Sequence, residues 1–167
     1  RTAVVLLPKD YIRFRLTSRT SIDVGDASGT MLMDIDRRQW SGAMFSALGL
    51  APAIMPPICE SAEVAGRLTG WAASQLGLPP GLAVVGGSGD NMAGGVGAGI
   101  VKPGLGLATI GTSGVVYAHA QSPHRDIGGP QAGRIHTMCG ATGTGPGSPG
   151  QWCLTGCMLS AGGSLRW

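Results

Sequence analysis

The sequence predicts an α/β fold in which short helices and short strands follow one another. Three observations carry this prediction. Residues 82–85 form a continuous apolar run that ends in glycines, as a buried strand does before a tight turn. Residues 105–120 alternate with the period of two that is typical of strands. Ser or Thr residues precede several segments that end in Gly, and these residues signal the start and stop of helices.

The composition describes a folded chain with few charges. Its 167 residues include 12 basic and 9 acidic side chains, and 43% are hydrophobic, which is more than a disordered chain carries. The basic residues are spread along the chain rather than clustered, so we expect no nucleic-acid partner. No apolar run reaches the roughly 20 residues that span a membrane, and the first ten residues lack the pattern of a secretory leader. We therefore expect a cytoplasmic protein without a membrane partner.

The first half of the chain predicts three helices. One begins at Pro8 and covers PKDYIRFRLTS, because proline suits the first helical turn and the aromatic residues recur at helical spacing. Ser41 and Thr69 predict the caps of two further helices, which Gly49 and Gly77 would close.

The stretch TSIDVGDASGT, residues 20–30, predicts a loop. It is dense in Asp, Ser, Thr and Gly, which hydrogen-bond to nearby backbone groups and favour turns. Asp23 and Asp26 could contact a ligand or a metal ion from this loop, although aspartates in such loops more often stabilise their own turn.

Asp90 and Asn91 are the strongest candidate site residues. They follow the strand at residues 82–85 and begin a helix of small residues, which is where open α/β sheets bind ligands. A helix N-terminus favours an ionised carboxylate, as a general base requires. The alternative is that Asp90 only caps the helix.

The alternating segment that follows predicts two strands of a new sheet, joined by a turn at residues 111–114. A Gly-Thr-Ser-Gly turn can point backbone N–H groups and two hydroxyls at one spot, which suits a phosphate. An ordinary hairpin turn is the alternative.

The rest of the chain is predicted to contain two loops, at residues 123–133 and 140–150, and a strand at QWCLTGCML that leads into a final helix. GPGSPG, residues 145–150, formally matches a dinucleotide motif but lacks the flanking strand and helix that such a motif needs.

The four cysteines are predicted to be reduced thiols that pack in the interior. His136, Cys139, Cys153 and Cys157 have a spacing that zinc sites can show, and two disulfides are the other alternative. However, Cys153 and Cys157 lie in an apolar run, where cysteine behaves as a small hydrophobic residue.

Five segments carry a resemblance to a known family. They are LPKDYIRFRLT, TSIDVGDASGTMLMDI, VVGGSGDNMAGGVGAGIVKPG, IGTSGVV and GCMLSAGGSLRW, and together they span nearly the whole chain. In order and approximate spacing they resemble the FGGY carbohydrate kinases of the actin-like ATPase superfamily, which include xylulose, glycerol and gluconate kinases. Within that family the sequences of these segments are most similar to those of the xylulose kinases.

The resemblance implies a two-domain kinase, each domain built on a ribonuclease-H-like α/β core, with sugar and ATP meeting in the cleft between them. Residues 1–101 would be the C-terminal part of the first, sugar-binding domain, and residues 102–167 the N-terminal part of the second, ATP-binding domain. The family's first phosphate loop and its adenosine motif are absent from this sequence. We therefore expect an incomplete fragment that is inactive alone.

The resemblance also implies a reaction and a set of site residues. The expected reaction is ATP-dependent phosphorylation of a sugar hydroxyl, first of all D-xylulose to D-xylulose 5-phosphate, with Mg²⁺ as cofactor. A kinase for ribulose, glycerol or gluconate and a non-catalytic truncated relic are the alternatives, and a homodimer is left open. The implied catalytic base is Asp90, the sugar ligands are Asp90 and Asn91, and the ATP ligands are Gly111, Thr112, Ser113 and Gly162. No metal ligand is implied.

Overall fold

The computed structural model describes residues 2–125, 127–129, 132–144 and 152–166. The chain divides into two compact units, Arg1–Ser88 and Gly89–Trp167. Both units mix helices with strands, so the predicted α/β class is confirmed. This division reflects compactness, and the family boundary after residue 101 stays a prediction.

The first unit contains short helices and very short strands, and its strands pair in three separate two-stranded sheets. Strands β1 and β4 are parallel, whereas β2 with β3 and β5 with β6 are antiparallel. The helices are α1 (Pro8–Thr17), α2 (Val24–Gly29), α3 (Gly42–Leu48) and α4 (Gly70–Leu76), and a 3₁₀ turn covers Pro52–Ile54. The strands are β1 (Ile22–Asp23), β2 (Met33–Asp34), β3 (Gln39–Trp40), β4 (Ile58–Cys59), β5 (Val64–Arg67) and β6 (Ala83–Val85).

The three helices predicted in this unit are confirmed as α1, α3 and α4. The Ser41 hydroxyl accepts a hydrogen bond from the backbone N–H of Met44, which satisfies one unpaired donor at the start of α3. Thr69 caps α4 in the same way. Gly49 and Gly77 end these helices in the left-handed conformation, with φ of +64° and +66°.

The loop predicted for residues 20–30 is wrong, because β1 and α2 lie there. The Asp23 carboxylate is the N-cap of α2 and accepts hydrogen bonds from the N–H groups of Gly25 and Asp26, at 2.9 and 3.1 Å. Val24 and Ala27 are buried at 1% and 0% exposure. Tertiary packing of these apolar residues therefore overrides a composition that favours turns.

Strand β6 is present where the apolar run predicts it, but its predicted burial on both faces is wrong. Leu82 beside it and Val85 within it are 43% and 48% exposed. The reason is that β6 pairs with β5 alone in a two-stranded sheet, so within the described residues no second layer covers both faces.

The second unit packs one helix, α5 (Asp90–Gly97), on a four-stranded antiparallel sheet. The strand order is β7-β8-β10-β9, and the buried core between helix and sheet contains Met92, Ile100, Tyr117 and Cys153. A 3₁₀ helix covers Gly162–Arg166. The strands are β7 (Gly106–Ile110), β8 (Gly114–Ala120), β9 (His136–Cys139) and β10 (Trp152–Met158).

The sheet agrees with most of the predicted pattern. The hairpin of β7 and β8 and the strand β10 are confirmed, whereas the final helix is a 3₁₀ rather than an α-helix. The described part of residues 123–133 has neither helix nor strand, as predicted. Residues 145–150, which carry the dinucleotide-like motif, lie outside the described residues.

The cysteines are free thiols, of which Cys59, Cys139 and Cys153 are buried and Cys157 is exposed. In the described ranges, no group of three His, Cys, Asp or Glu side chains has an arrangement that could hold a metal ion. None of the helices in the same ranges combines the length and apolarity that crossing a membrane requires.

Candidate active site

Asp90 is the first residue of α5, as the sequence predicts. Gly89 occupies the N-cap position, so Asp90 is not the N-cap residue that the alternative interpretation required. Its Oδ1 accepts a hydrogen bond from the N–H of Asn91 at 2.8 Å, and the side chain is exposed. The carboxylate thus lies at the N-terminal end of the helix, in contact with solvent.

A small cavity lies beside Asp90, between α5 and the β7–β8 hairpin. Its volume is about 90 Å³. The helix contributes carboxylate and amide groups, and the hairpin contributes mainly apolar walls and the Thr109 side chain. The lining residues are Asp90, Asn91, Gly94, Leu107, Thr109, Val115 and Tyr117. The structure thus places Asp90 and Asn91 at one cavity.

The turn between β7 and β8 is exposed and presents polar groups outward. It is closed by a hydrogen bond from the Gly111 N–H to the Ser113 carbonyl at 2.8 Å. Within the described residues, no protein group is hydrogen-bonded to the hydroxyls of Thr112 and Ser113 or to their backbone N–H groups. These free donors are what an anionic ligand such as a phosphate needs.

Gly162 packs directly on this turn. Its N–H donates to the Gly111 carbonyl at 3.0 Å, and the N–H of Ala161 donates to the Thr112 carbonyl at 2.8 Å. A Cβ at position 162 would lie 2.5 Å from the Gly111 carbonyl oxygen, so a larger residue could not make this approach. The structure therefore brings the four predicted ATP ligands, Gly111, Thr112, Ser113 and Gly162, to one place.

Strand β7 connects the two groups of predicted residues. Thr109 lines the cavity beside Asp90 and lies two residues before Gly111 in the chain. An acidic residue and a turn with free donors thus flank the end of the same hairpin. The arrangement suits a reaction in which a proton leaves one group while a phosphoryl group is held nearby.

The first unit contains a charged cluster that sequence reasoning did not find. Lys9 Nζ forms ion pairs with Asp23, with Asp26 at 3.1 Å and with Asp10 at 3.4 Å. Burial lowers the pKa of Lys9, but the hydrogen bond to Asp23 and the three carboxylates outweigh burial and raise it. Burial raises the pKa of Asp23, and Lys9 offsets only part of that rise. In the structure Asp23 thus serves both as an ion-pair partner of Lys9 and as the N-cap of α2, and Asp26 serves as a second ion-pair partner of Lys9.

Arg13 extends this cluster to the segment that precedes Asp90. It is buried, donates to the carbonyls of Gly86 and Ser21, and pairs with Asp10 at 2.7 Å. Lys9 Nζ also donates to the Gly86 carbonyl, at 3.3 Å. The available signal was the spacing of Lys9, Asp10 and Arg13 in PKDYIR, which places them on one side of α1 in a chain with only 13% charged residues.

The comparison with protein families decides the assignment. The N-terminal domain of the FGGY family of carbohydrate kinases matches residues 1–97, which is more than half of the chain. The chain belongs to the FGGY family of carbohydrate kinases.

Curated FGGY relatives and solved structures agree with this assignment. A xylulose kinase from Klebsiella pneumoniae is 40% identical over 163 residues, which are 98% of this chain and 32% of that enzyme. A crystal structure described as a xyloylose kinase from Brucella ovis has a TM-score of 0.86 and 36% identity, and the match covers 99% of this chain and 32% of that one. A xylulose kinase structure from Rhodospirillum rubrum gives a TM-score of 0.86 at 28% identity, over 99% and 31%.

These matches confirm the resemblance to FGGY xylulose kinases and the predicted actin-like ATPase fold with its ribonuclease-H-like α/β core. The chain spans about a third of the length of the relatives it matches.

Proposed function

We propose that this chain is one part of an ATP-dependent sugar kinase that converts D-xylulose to D-xylulose 5-phosphate. The observation that carries the proposal is the position of Asp90 at the start of α5, beside a hairpin whose turn has free hydroxyl and N–H donors. The identity of 40% to a xylulose kinase over nearly the whole chain supports D-xylulose as the first substrate to test.

In the proposed mechanism Asp90 is the general base. Its carboxylate accepts the proton of the sugar hydroxyl as that oxygen attacks the γ-phosphoryl group of ATP. Asn91 beside it has an amide that can both donate and accept hydrogen bonds, which suits recognition of a neighbouring sugar hydroxyl. The small cavity at these two residues is the part of the sugar pocket that this chain would provide.

The residues around the β7–β8 turn fit the phosphates of ATP. Thr112 and Ser113 offer free hydroxyl and N–H donors, and Gly162 stands where a side chain would collide with the turn. Bound ATP would supply the transferable phosphoryl group, together with Mg²⁺ that neutralises its charge. Mg²⁺ would be held mainly by the phosphate oxygens of ATP and by water, since the described residues contain no group of three His, Cys, Asp or Glu side chains that could hold a metal ion.

The span of about a third of the relatives' length supports the proposal that further parts of the active site lie outside this chain. Residues 1–101 are proposed to belong to the sugar-binding domain and residues 102–167 to the ATP-binding domain. The proposed setting is the cytoplasm, where ATP is available, and the proposed ligands are a sugar and ATP rather than nucleic acid or membrane.

The test is an ADP-release assay on the longest reading frame that contains this chain. The sugars are D-xylulose, D-ribulose, L-ribulose, glycerol and gluconate, and the variants are Asp90→Asn and the exposed control Asp36→Asn. We expect preference for D-xylulose and a loss of about 10²–10⁴-fold in kcat for Asp90→Asn, because the amide cannot accept the proton. Asp36→Asn should keep the full rate.

Other outcomes would redirect the proposal. Preference for another sugar would retain the kinase and replace the substrate. Full activity of Asp90→Asn would remove the proposed base. We expect the purified 167-residue chain alone to be inactive. If stop codons close the reading frame on both sides and the protein turns over none of the sugars, the non-catalytic truncated relic becomes the better interpretation. Size-exclusion chromatography of the same samples tests the homodimer.

A further inference from the structure

Gly95 of α5 packs directly against the ring of Tyr117 in β8. We propose that these two are positioning residues, which set the distance between the helix that carries Asp90 and the β7–β8 hairpin. The inference rests on the proposed role of Asp90 as general base. Neither residue is proposed to touch the reacting atoms.

The contact at Gly95 has no room for a side chain. A Cβ on Gly95 would lie 2.6 Å from Cε1 of the Tyr117 ring, which is closer than real Cβ atoms come to a neighbour, and 3.0 Å from Cζ. The other helix glycines differ, since Cβ atoms on Gly94 and Gly97 would meet nothing within 4 Å. Of these three glycines, Gly95 is the one at a position that has no room for a side chain.

Tyr117 is restrained against moving aside to make that room. It is 2% exposed, and its ring is part of the core with Met92, Ile100 and Cys153. Its backbone is also held on both sides in the sheet, opposite Leu107 of β7 and Thr155 of β10. Because protein cores are close-packed, an added methyl group at Gly95 would displace the helix rather than the ring.

The displacement would reach the proposed base. Asp90 lies five residues before Gly95 on the same helix, roughly 7.5 Å along the axis. Asp90 and Tyr117 also line the same cavity, so a shift of the helix against the ring would alter the surroundings of Asp90. A misplacement of about 1 Å in a reacting group can cost about 10²-fold in rate. We therefore expect Gly95→Ala to lower kcat more than it changes KM.

The experiment compares Gly95→Ala with Gly97→Ala in the longest reading frame that contains this chain. Both variants add one methyl group to the same helix, but only the first meets Tyr117. We expect kcat to fall about 10- to 100-fold for Gly95→Ala, with KM for sugar and ATP within about threefold. Gly97→Ala should stay within about twofold of the parent. A Gly95→Ala variant that keeps the parent kcat would overturn the inference.

A double-mutant cycle separates positioning from loss of structure. If Gly95 acts through Asp90, Gly95→Ala should not lower the residual rate of Asp90→Asn any further. A purely structural defect would lower the rate by the same factor in both backgrounds, and that result would also overturn the inference. Thermal unfolding of each variant shows that the assay temperature lies below its transition.

Two further outcomes are distinguished by the same set of proteins. Full activity of Asp90→Asn refutes the proposed function, whereas an inactive Asp90→Asn with an unaffected Gly95→Ala refutes only the spacing role. If Gly95→Ala does not fold, Tyr117→Leu tests the contact from the sheet side by removing the ring. That variant should lower kcat in the parent and have no further effect in Asp90→Asn, and equal effects in both would contradict the proposal.

Discussion

Each of the two units is stabilised internally by a different kind of interaction. In the first unit the buried polar groups include the charged residues Asp10, Arg13 and Asp23, whereas in the described part of the second they are His119 and Thr155. The second unit instead has strands of four to seven residues in a continuous sheet and a core of Met, Ile, Tyr and Cys side chains.

Strand length explains the difference. Strands β1, β2, β3 and β4 have two residues each and form few ladder hydrogen bonds, so the sheets fix little of the first unit's backbone. Lys9 and Arg13 provide that fixation by binding the carbonyls of Gly86 and Ser21. A buried ion pair adds little net stability but is costly to break, so the first unit should be sensitive to loss of single charges. The second should be sensitive to changes in volume.

The largest expected effect is that of Arg13→Met, which leaves the buried Asp10 with only its longer ion pair to Lys9, at 3.4 Å. Removal of one member of a buried ion pair typically costs about 3–5 kcal/mol, and we expect a loss of this size in the free energy of unfolding. Urea unfolding of the chain followed by circular dichroism measures it. The control is Arg15→Met on the same helix, where an exposed guanidinium lies 5.3 Å from the Trp71 ring centroid and contributes about 0.5–1 kcal/mol. Equal losses for the two variants would contradict the importance of the cluster.

A smaller effect is expected for Gly86→Ala, which tests whether the charged cluster also depends on close backbone packing. A Cβ on Gly86 would lie 2.5 Å from the Glu60 carbonyl oxygen and 3.0 Å from the Cys59 sulfur. We expect a loss of about 1–3 kcal/mol, which is typical of overpacking. Gly70→Ala at the start of α4 is the matched control, because a Cβ there meets nothing within 4 Å. Hydrogen exchange of peptides that cover residues 8–29 should increase for Gly86→Ala and not for the control.

The features that the sequence predicted correctly are those set by neighbouring residues. Helices α3 and α4 are defined by a capping hydroxyl at one end and a glycine at the other, and the β7–β8 hairpin is defined by alternation around a short turn. Asp90 was likewise found because strand, glycines and helix follow one another in the chain. Its role as a base, like the ATP contacts of the turn, stays a prediction.

Most features that the sequence did not predict depend on residues far apart in the chain. Lys9 and Asp23 are 14 positions apart, and Arg13 and Gly86 are 73 apart, so the composition of residues 20–30 could not show that Asp23 pairs with a lysine. The contact of Gly95 with Tyr117 is equally non-local, and nothing in DNMAGGVG indicates which glycine is required. The exposure of β6 depends on which strands pair with it, which periodicity does not report.

The smallest expected effect comes from His119, the buried histidine in the described part of the second unit. Burial lowers the pKa of His119 from 6.5, Nε2 is bonded to Thr142 Oγ1 at 2.9 Å, and Nδ1 has no hydrogen-bond partner among the described residues. The unfolded chain therefore binds the proton more readily than the folded one. Stability should be unaffected above the unfolded pKa near 6.5 and should decrease as the pH falls below it.

The measurement is the urea midpoint between pH 7.5 and 5.0 for the parent, His119→Gln and the exposed control His124→Gln. Other groups also titrate in this range, so the difference in slope between proteins isolates His119. We expect His119→Gln to be less stable at pH 7.5, since it loses the bond to Thr142, and to lose less stability on acidification. His124→Gln should follow the parent curve. If the His119→Gln curve kept the parent slope, the buried imidazole would not be a source of acid sensitivity, and the second unit would depend on volume alone.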